Sequence, residues 1–176
     1  GCLADDMGLG KTIQLLALHT VREGATLVVC PTSLLANWER EAKRFIPGVA
    51  VRRFHGPNRR LDPPLPGDIV LTTYGVVRSD VDRLAAVEWD LVVADEAQYA
   101  KNPRSRTAVA LRQLRSTARV ALTGTPVENR LSELWAIFDW AVPGLLPPRE
   151  VMASLVASRL KPASVPVTTT VRPSSV

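Results

Sequence analysis

Short apolar runs rich in β-branched residues alternate along the chain with longer stretches of helical periodicity. Thr26 to Cys30 is apolar at nearly every position, the pattern of a strand covered on both faces. Downstream, Leu34, Trp38, Ala42 and Phe45 recur on one helical face and Glu39 and Lys43 form an i,i+4 pair away from it. Ser33 stands where it can cap that helix, and Pro47-Gly48 ends it. Val49 to Phe54 predicts a second strand, Asp68 to Thr73 a third, Leu91 to Ala94 a fourth and Arg119 to Leu122 a fifth. Pro57 through Gly67 reads as a surface loop. Helices are predicted after Tyr74, over 103–115 with Pro103 near the start, and around Leu131, Leu134, Trp135 and Phe138. This alternation predicts an α/β fold, a parallel sheet with helices on both faces. Ligands of such sheets bind at the carboxyl ends of the strands.

The pattern breaks after Pro143-Gly144 and Pro147-Pro148. Residues 1–146 are expected to form one lobe, and 147–176 a divergent or disordered tail. Glu150 to Leu160 predicts one more helix, while Pro162 to Val176 has no periodicity. A strand that enters directly into the first motif suggests a fragment of a longer protein.

Composition narrows the classes. A chain of 176 residues, 46% hydrophobic and 22% charged, suits one soluble domain. No apolar run reaches the ~18 residues of a membrane span, and no secretory signal opens the chain. An intracellular location without a membrane partner is therefore expected. Cys2 and Cys30 are too few for a disulfide framework and lack zinc spacing, and His19 and His55 stand apart from them. A net charge of +5 permits a polyanionic partner.

The chemistry is concentrated in three segments. Leu3-Ala-Asp-Asp-Met-Gly-Leu-Gly-Lys-Thr12 reads as a phosphate-binding loop opening a helix. Gly8 and Gly10 let successive N–H groups face phosphate oxygens, Lys11 adds a point charge and the Thr12 hydroxyl can bind Mg²⁺. Asp5 occupies the place of the first glycine in the strict pattern. Val92-Val-Ala-Asp-Glu-Ala-Gln98 ends a buried strand in two acids, Asp95 to hold the metal shell and Glu96 to orient and deprotonate water. Thr123-Gly-Thr-Pro126 places hydroxyls at a further strand end.

Taken in order, these segments resemble the Swi/Snf-type family of DNA-dependent ATPases, within the superfamily 2 helicase-like motors. Leu3 to Thr12 resembles the family's motif I, including the aspartate at position 5. Val28-Val-Cys-Pro-Thr-Ser-Leu-Leu-Ala-Asn-Trp38 is similar to motif Ia, and Leu71-Thr-Thr-Tyr74 to motif Ib. Asp95-Glu-Ala-Gln98 with Lys101-Asn102 resembles motif II, and Leu122 to Asn129 motif III. The resemblance implies a RecA-like phosphate-loop lobe using ATP and Mg²⁺ on double-stranded DNA. It implies ATP contacts from Asp6, Met7, Gly8, Leu9, Gly10, Lys11 and Thr12. It implies metal binding by Thr12 and Asp95, catalysis by Glu96 and Lys11, and coupling by Gln98 and Thr123. Pro31, Thr32, Ser33, Thr72, Thr73, Tyr74 and Lys101 would face the DNA backbone. A second helicase lobe, not recognisable here, would complete turnover. The alternatives are a truncated remnant without motor function and an unrelated phosphate-loop ATPase. For Trp38 core packing is expected, and Arg104, Arg112 and Arg115 are expected to share a solvated helical face.

Overall fold

The computed structural model describes residues 1–4, 10–124 and 131–159. Asp6, Met7, Gly8 and Leu9, much of the Thr123-Gly-Thr-Pro126 segment and the tail beyond 159 lie outside the described residues. The chain divides into two compact units, Gly1–Leu146 and Pro147–Val176. In the second unit, α7 spans Arg149–Arg159, close to the helix read from the sequence.

In the first unit, the strands are β1 (Cys2–Ala4), β2 (Thr26–Cys30), β3 (Val51–Arg53), β4 (Ile69–Thr73), β5 (Trp89–Ala94) and β6 (Ser116–Thr123). They form a six-stranded sheet in the order β1-β6-β5-β2-β4-β3, and each described pairing is parallel. The helices are α1 (Lys11–Thr20), α2 (Leu35–Phe45), α3 (Tyr74–Ser79), α4 (Val81–Ala85), α5 (Arg106–Gln113) and α6 (Leu131–Ala141).

Successive strand residues point to opposite faces, and here both faces are covered. Leu27 and Val29 of β2, Val70 of β4 and Val92 and Ala94 of β5 pack with Val77, Leu84, Leu111, Ile137 and Trp140. Their neighbours Val28, Cys30, Ile69, Leu71, Leu91 and Val93 pack on the other side with Leu15 and Leu16 of α1 and Leu35, Trp38 and Ala42 of α2. This double coverage explains why β2 and β4 are buried along their whole length and read as unbroken apolar runs. Truncating one of these leucines to alanine costs about 2–5 kcal/mol.

Several boundaries and faces depart from the sequence expectation. Ser33 does not cap α2: it lies in a 3₁₀ turn, Thr32–Leu34, and α2 starts without a side-chain cap. Phe45 is 40% exposed, because Leu35 takes the buried position and Arg44 lies over the Phe45 ring. Glu39 reaches Arg53 of β3. Helix α5 is shorter than 103–115, because the Ser105 hydroxyl accepts the Ala108 N–H at 3.1 Å and so fixes the first turn there. Arg104 and Arg115 therefore fall off the helix and the basic arc does not form. Arg112 pairs with Asp139 at 3.1 Å and Arg115 with Glu88 at 2.9 Å. On α6 the buried positions are Ala136, Ile137, Trp140 and Ala141, while Leu134, Trp135 and Phe138 are half-buried. Of these, Ile137, Trp140 and Ala141 join the core on that side of the sheet.

Candidate nucleotide cleft and basic groove

Two concave sites lie where the strands end. The first begins at Gly10, whose φ of 77° and ψ of 23° place it in the left-handed region as the N-cap of α1. A side chain there would be strained, which is the physical reason for glycine. The Gly10 carbonyl accepts the Gln14 N–H at 3.1 Å, so Lys11 and Thr12 open the helix at its electropositive end. Across the cleft stand Asp95 and Glu96, immediately after β5. Gly10, Lys11, Thr12, Ile13, Leu34, Asn37, Glu41, Asp95 and Glu96 line a cavity of about 340 Å³. Thus residues far apart in sequence, the loop lysine and threonine and the strand-end acids, meet in one space.

Asp95 is held from three directions. Trp38 Nε1 donates to its Oδ2 at 2.8 Å, the Glu96 N–H donates to Oδ1 at 2.9 Å and the Tyr74 hydroxyl donates to its carbonyl at 2.7 Å. Burial pushes the carboxyl above its ordinary value, opposed by the Trp38 bond, and Lys11 also acts to lower it. The Trp38 donor thus offsets part of the cost of a buried charge. Glu96 has φ 53° and ψ 55°, the positive φ among the described non-glycine residues. Its Oε2 accepts from Gln98 Nε2 at 2.6 Å, and Gln98 Oε1 accepts from the Thr123 hydroxyl at 3.0 Å. A continuous hydrogen-bonded line therefore runs from the end of β6 to the Glu96 carboxylate.

The second site is a groove of about 580 Å³ whose walls include Pro31, Thr32, Thr73, Tyr74, Tyr99 and Arg78. Arg59 and His55 also border it. Thr73 caps α3, its hydroxyl accepting the Val76 N–H at 3.4 Å. Arg59 is tied to Asp80 at 2.5 Å, whereas Arg78 is exposed.

Residues 1–160 match the SNF2-related domain. The chain belongs to that family. Among its relatives, YwqA of Bacillus subtilis is 44% identical over 156 residues, covering 82% of this chain and 17% of that protein. The DNA excision repair protein ERCC-6-like of Danio rerio is 41% identical over 162 residues, covering 83% of this chain and 11% of that protein. The solved SWI2/SNF2 ATPase core of Sulfolobus solfataricus in complex with double-stranded DNA superposes with a TM-score of 0.75 at 45% identity, covering 82% of this chain and 32% of that one. The fold is the RecA-like lobe of such a core, and the chain spans under a third of each of these three proteins.

As an SNF2-related lobe, the chain brings Gly10, Lys11, Thr12, Asp95 and Glu96 to one cleft and joins Gln98 and Thr123 to it. Pro31, Thr32 and Thr73 line the groove. One expectation for a DNA face is corrected, at Thr72, and two further residues are placed. Thr72 is fully buried and its hydroxyl donates to the Phe54 carbonyl at 2.9 Å, so it has no surface to offer. The Tyr74 hydroxyl points inward to Asp95, and burial holds the phenol well above its ordinary pKa. Lys101 has its ammonium 3.3 Å from Glu133 of α6 and stays partly exposed. Ser33 is exposed but does not line the groove.

Trp38 packs in the core as expected, yet it also orients Asp95. Nothing in its helical spacing distinguishes the two roles. Tyr99, 59% exposed and stacked on Tyr74 at 5.3 Å, was not anticipated; an exposed aromatic beside two acids was the available signal. Cys30 is buried, which pushes its thiol up to about 12, and is a core residue. Among the described residues, no group of three or more His, Cys, Asp or Glu could hold a metal. No described helix is long and apolar enough to cross a membrane.

Proposed function

We propose that this chain is the first ATPase lobe of an ATP-dependent motor that moves on or remodels complexes of double-stranded DNA. The observation that carries the reading is the single cleft shared by Lys11 and Thr12 at a helix N-terminus and Asp95 and Glu96 at a strand end. Backbone N–H groups of the first α1 turn, left without intrahelical partners, suit phosphate oxygens. Lys11 would neutralise the β- and γ-phosphates.

The donor set fits Mg²⁺. Thr12 and Asp95 offer hard oxygen ligands, and each Asp95 oxygen keeps a lone pair beyond its one hydrogen bond. Mg²⁺ is commonly held by one or two protein oxygens together with waters and substrate phosphates, so the absence of a dedicated cage among the described residues is no obstacle. When bound, the ion would offset charge developing on the transferred phosphoryl group. Glu96 faces the same cavity and would hold the attacking water and take its proton. Gln98 fixes the Glu96 carboxylate and is itself fixed by Thr123. A shift at the end of β6 would thus reach the base, which supports a coupling role for both residues.

The groove with Pro31, Thr32, Thr73 and Arg78 is the surface assigned to the duplex backbone. Hydroxyls, an exposed guanidinium and a helix N-terminus recognise phosphate without reading bases, as the solved relative's duplex complex leads one to expect. In this reading a second lobe completes the ATP site. An arginine supplied across a cleft is worth about 10³–10⁵ in turnover, so the 176 residues alone should bind ATP weakly and hydrolyse it poorly. This sets the expected location as intracellular, where duplex DNA is.

The test is duplex binding by fluorescence anisotropy over a range of salt, with unrelated DNA sequences. Affinity should be independent of sequence and fall with salt. Arg78→Ala should reduce the salt slope by about one. Sequence-selective binding, or none, would overturn the assignment of the groove. Strong DNA-stimulated turnover by this chain alone would overturn the need for a second lobe.

A further inference from the structure

We propose that Tyr74 couples occupancy of the basic groove to the geometry of Asp95 and Glu96, as a positioning residue between the two sites; this rests on the reading that duplex DNA occupies the groove. Tyr74 is the first residue of α3 and its side chain is only 6% exposed. Its hydroxyl lies 2.7 Å from the Asp95 carbonyl and 3.4 Å from the Glu96 carbonyl. One donor therefore brackets the peptide that carries the candidate metal ligand and the candidate base.

That peptide is in an unusual state. Glu96 takes left-handed φ and ψ, a conformation that persists in a non-glycine residue only when the surroundings hold it. Within the turn, the Glu96 N–H is held by Asp95 Oδ1 at 2.9 Å and the Glu96 carbonyl accepts the Tyr99 N–H at 3.0 Å. Tyr74 adds a hold from a distant segment of the chain. The other side of its ring faces the groove. Tyr99 stacks on it with centroids 5.3 Å apart and planes at 13°, and Tyr99 is 59% exposed. Thr73, Gly75 and Val76, on either side of Tyr74 in sequence, also line the groove.

A backbone pressed against Tyr99 or the start of α3 cannot displace the Tyr74 ring without moving its hydroxyl relative to the two carbonyls. The left-handed turn at Glu96 is the strained element on which such a coupling would act, since its geometry persists only while its neighbours hold it. This route acts on the backbone of Asp95 and Glu96. It is separate from the line through Thr123 and Gln98, which ends on the Glu96 side chain.

The experiment is a titration of a fluorescent ATP analogue with Mg²⁺, with and without saturating duplex DNA, on the full 176-residue chain. In the unaltered protein DNA should tighten binding by about fivefold or more. Tyr74→Phe removes the hydroxyl and keeps the ring; Tyr99→Ala removes the stack from an exposed position and keeps the hydroxyl. Both should bring the ratio to within about twofold of unity, each ratio being taken against that variant's own nucleotide affinity without DNA. A purely structural role for Tyr74 would lower the unfolding midpoint and leave the ratio unchanged, which would overturn the proposal. So would a ratio of one in the unaltered chain that binds both ligands. Failure to bind nucleotide or duplex at all would overturn the motor reading and the proposal with it.

Discussion

Replacing Trp38 by phenylalanine isolates the bond that holds Asp95. The indole N–H donates to Asp95 Oδ2 at 2.8 Å, and Trp38 is 2% exposed, so water cannot take its place as donor without opening the core. A hydrogen bond to a charged group contributes about 1.5–3 kcal/mol. The smaller ring would also leave a void; roughly 40 Å³ at ~24 cal/mol per Å³ adds about 1 kcal/mol. Trp38→Phe should therefore destabilise the fold by about 2.5–4 kcal/mol. Packing and hydrogen bonding are separated by a double-mutant cycle with Asp95→Ala, read by urea unfolding near neutral pH. Each single variant strands one buried partner, the Asp95 Oδ2 without its donor or the indole N–H without its acceptor. The double variant strands neither, so its cost should fall short of the sum by about 1.5–3 kcal/mol. Additive costs, with a coupling below about 0.5 kcal/mol, would refute the view that Trp38 positions Asp95.

Two further outcomes are expected. His19 is buried, with Nδ1 2.8 Å from the Thr26 hydroxyl and Nε2 3.2 Å from the Gly67 carbonyl, and burial lowers its pKa below the ordinary 6.5, although the nearby Asp90 acts to raise it. The unfolded chain then binds a proton that the folded one resists. Stability conferred by neutral His19 is therefore present above about 6.5 and lost as pH falls toward the lowered native value; His19→Gln should flatten this slope in urea melts, and an unchanged slope would assign it elsewhere. Thr72→Val removes the bond to the Phe54 carbonyl and should cost about 1 kcal/mol in stability while leaving duplex affinity unchanged. A marked loss of DNA binding with unchanged stability would restore Thr72 to the interface.

Much of the architecture was legible because it depends on period and punctuation. Thr26 to Cys30 and Ile69 to Thr73 are apolar at successive positions since helices cover both sides of β2 and β4. A parallel sheet of this kind gathers its strand ends on one edge, so the sequence pattern alone assigns Lys11 and Asp95 to one neighbourhood. What escaped was side-chain direction. Thr72, Thr73 and Tyr74 are consecutive, yet one hydroxyl bonds across to Phe54, one caps a helix and one reaches a neighbouring turn. Strand alternation and the start of α3 decide this, and motif spacing does not encode it. The α6 face was misplaced for a related reason: Ala136 and Ala141 are buried for their smallness, whereas the pattern gave weight to Leu134, Trp135 and Phe138.

Lys11, Thr12 and Asp95 are proposed to form the phosphate and metal end of an ATP site. Calorimetric titration of the chain with ATP, in the presence and absence of Mg²⁺, tests it most directly. Binding should be saturable, strengthened by Mg²⁺ and at least about tenfold weaker in Lys11→Ala, a loss of about 1.4 kcal/mol or more. Binding that is indifferent to both Mg²⁺ and Lys11, or no binding by the folded chain, would contradict it.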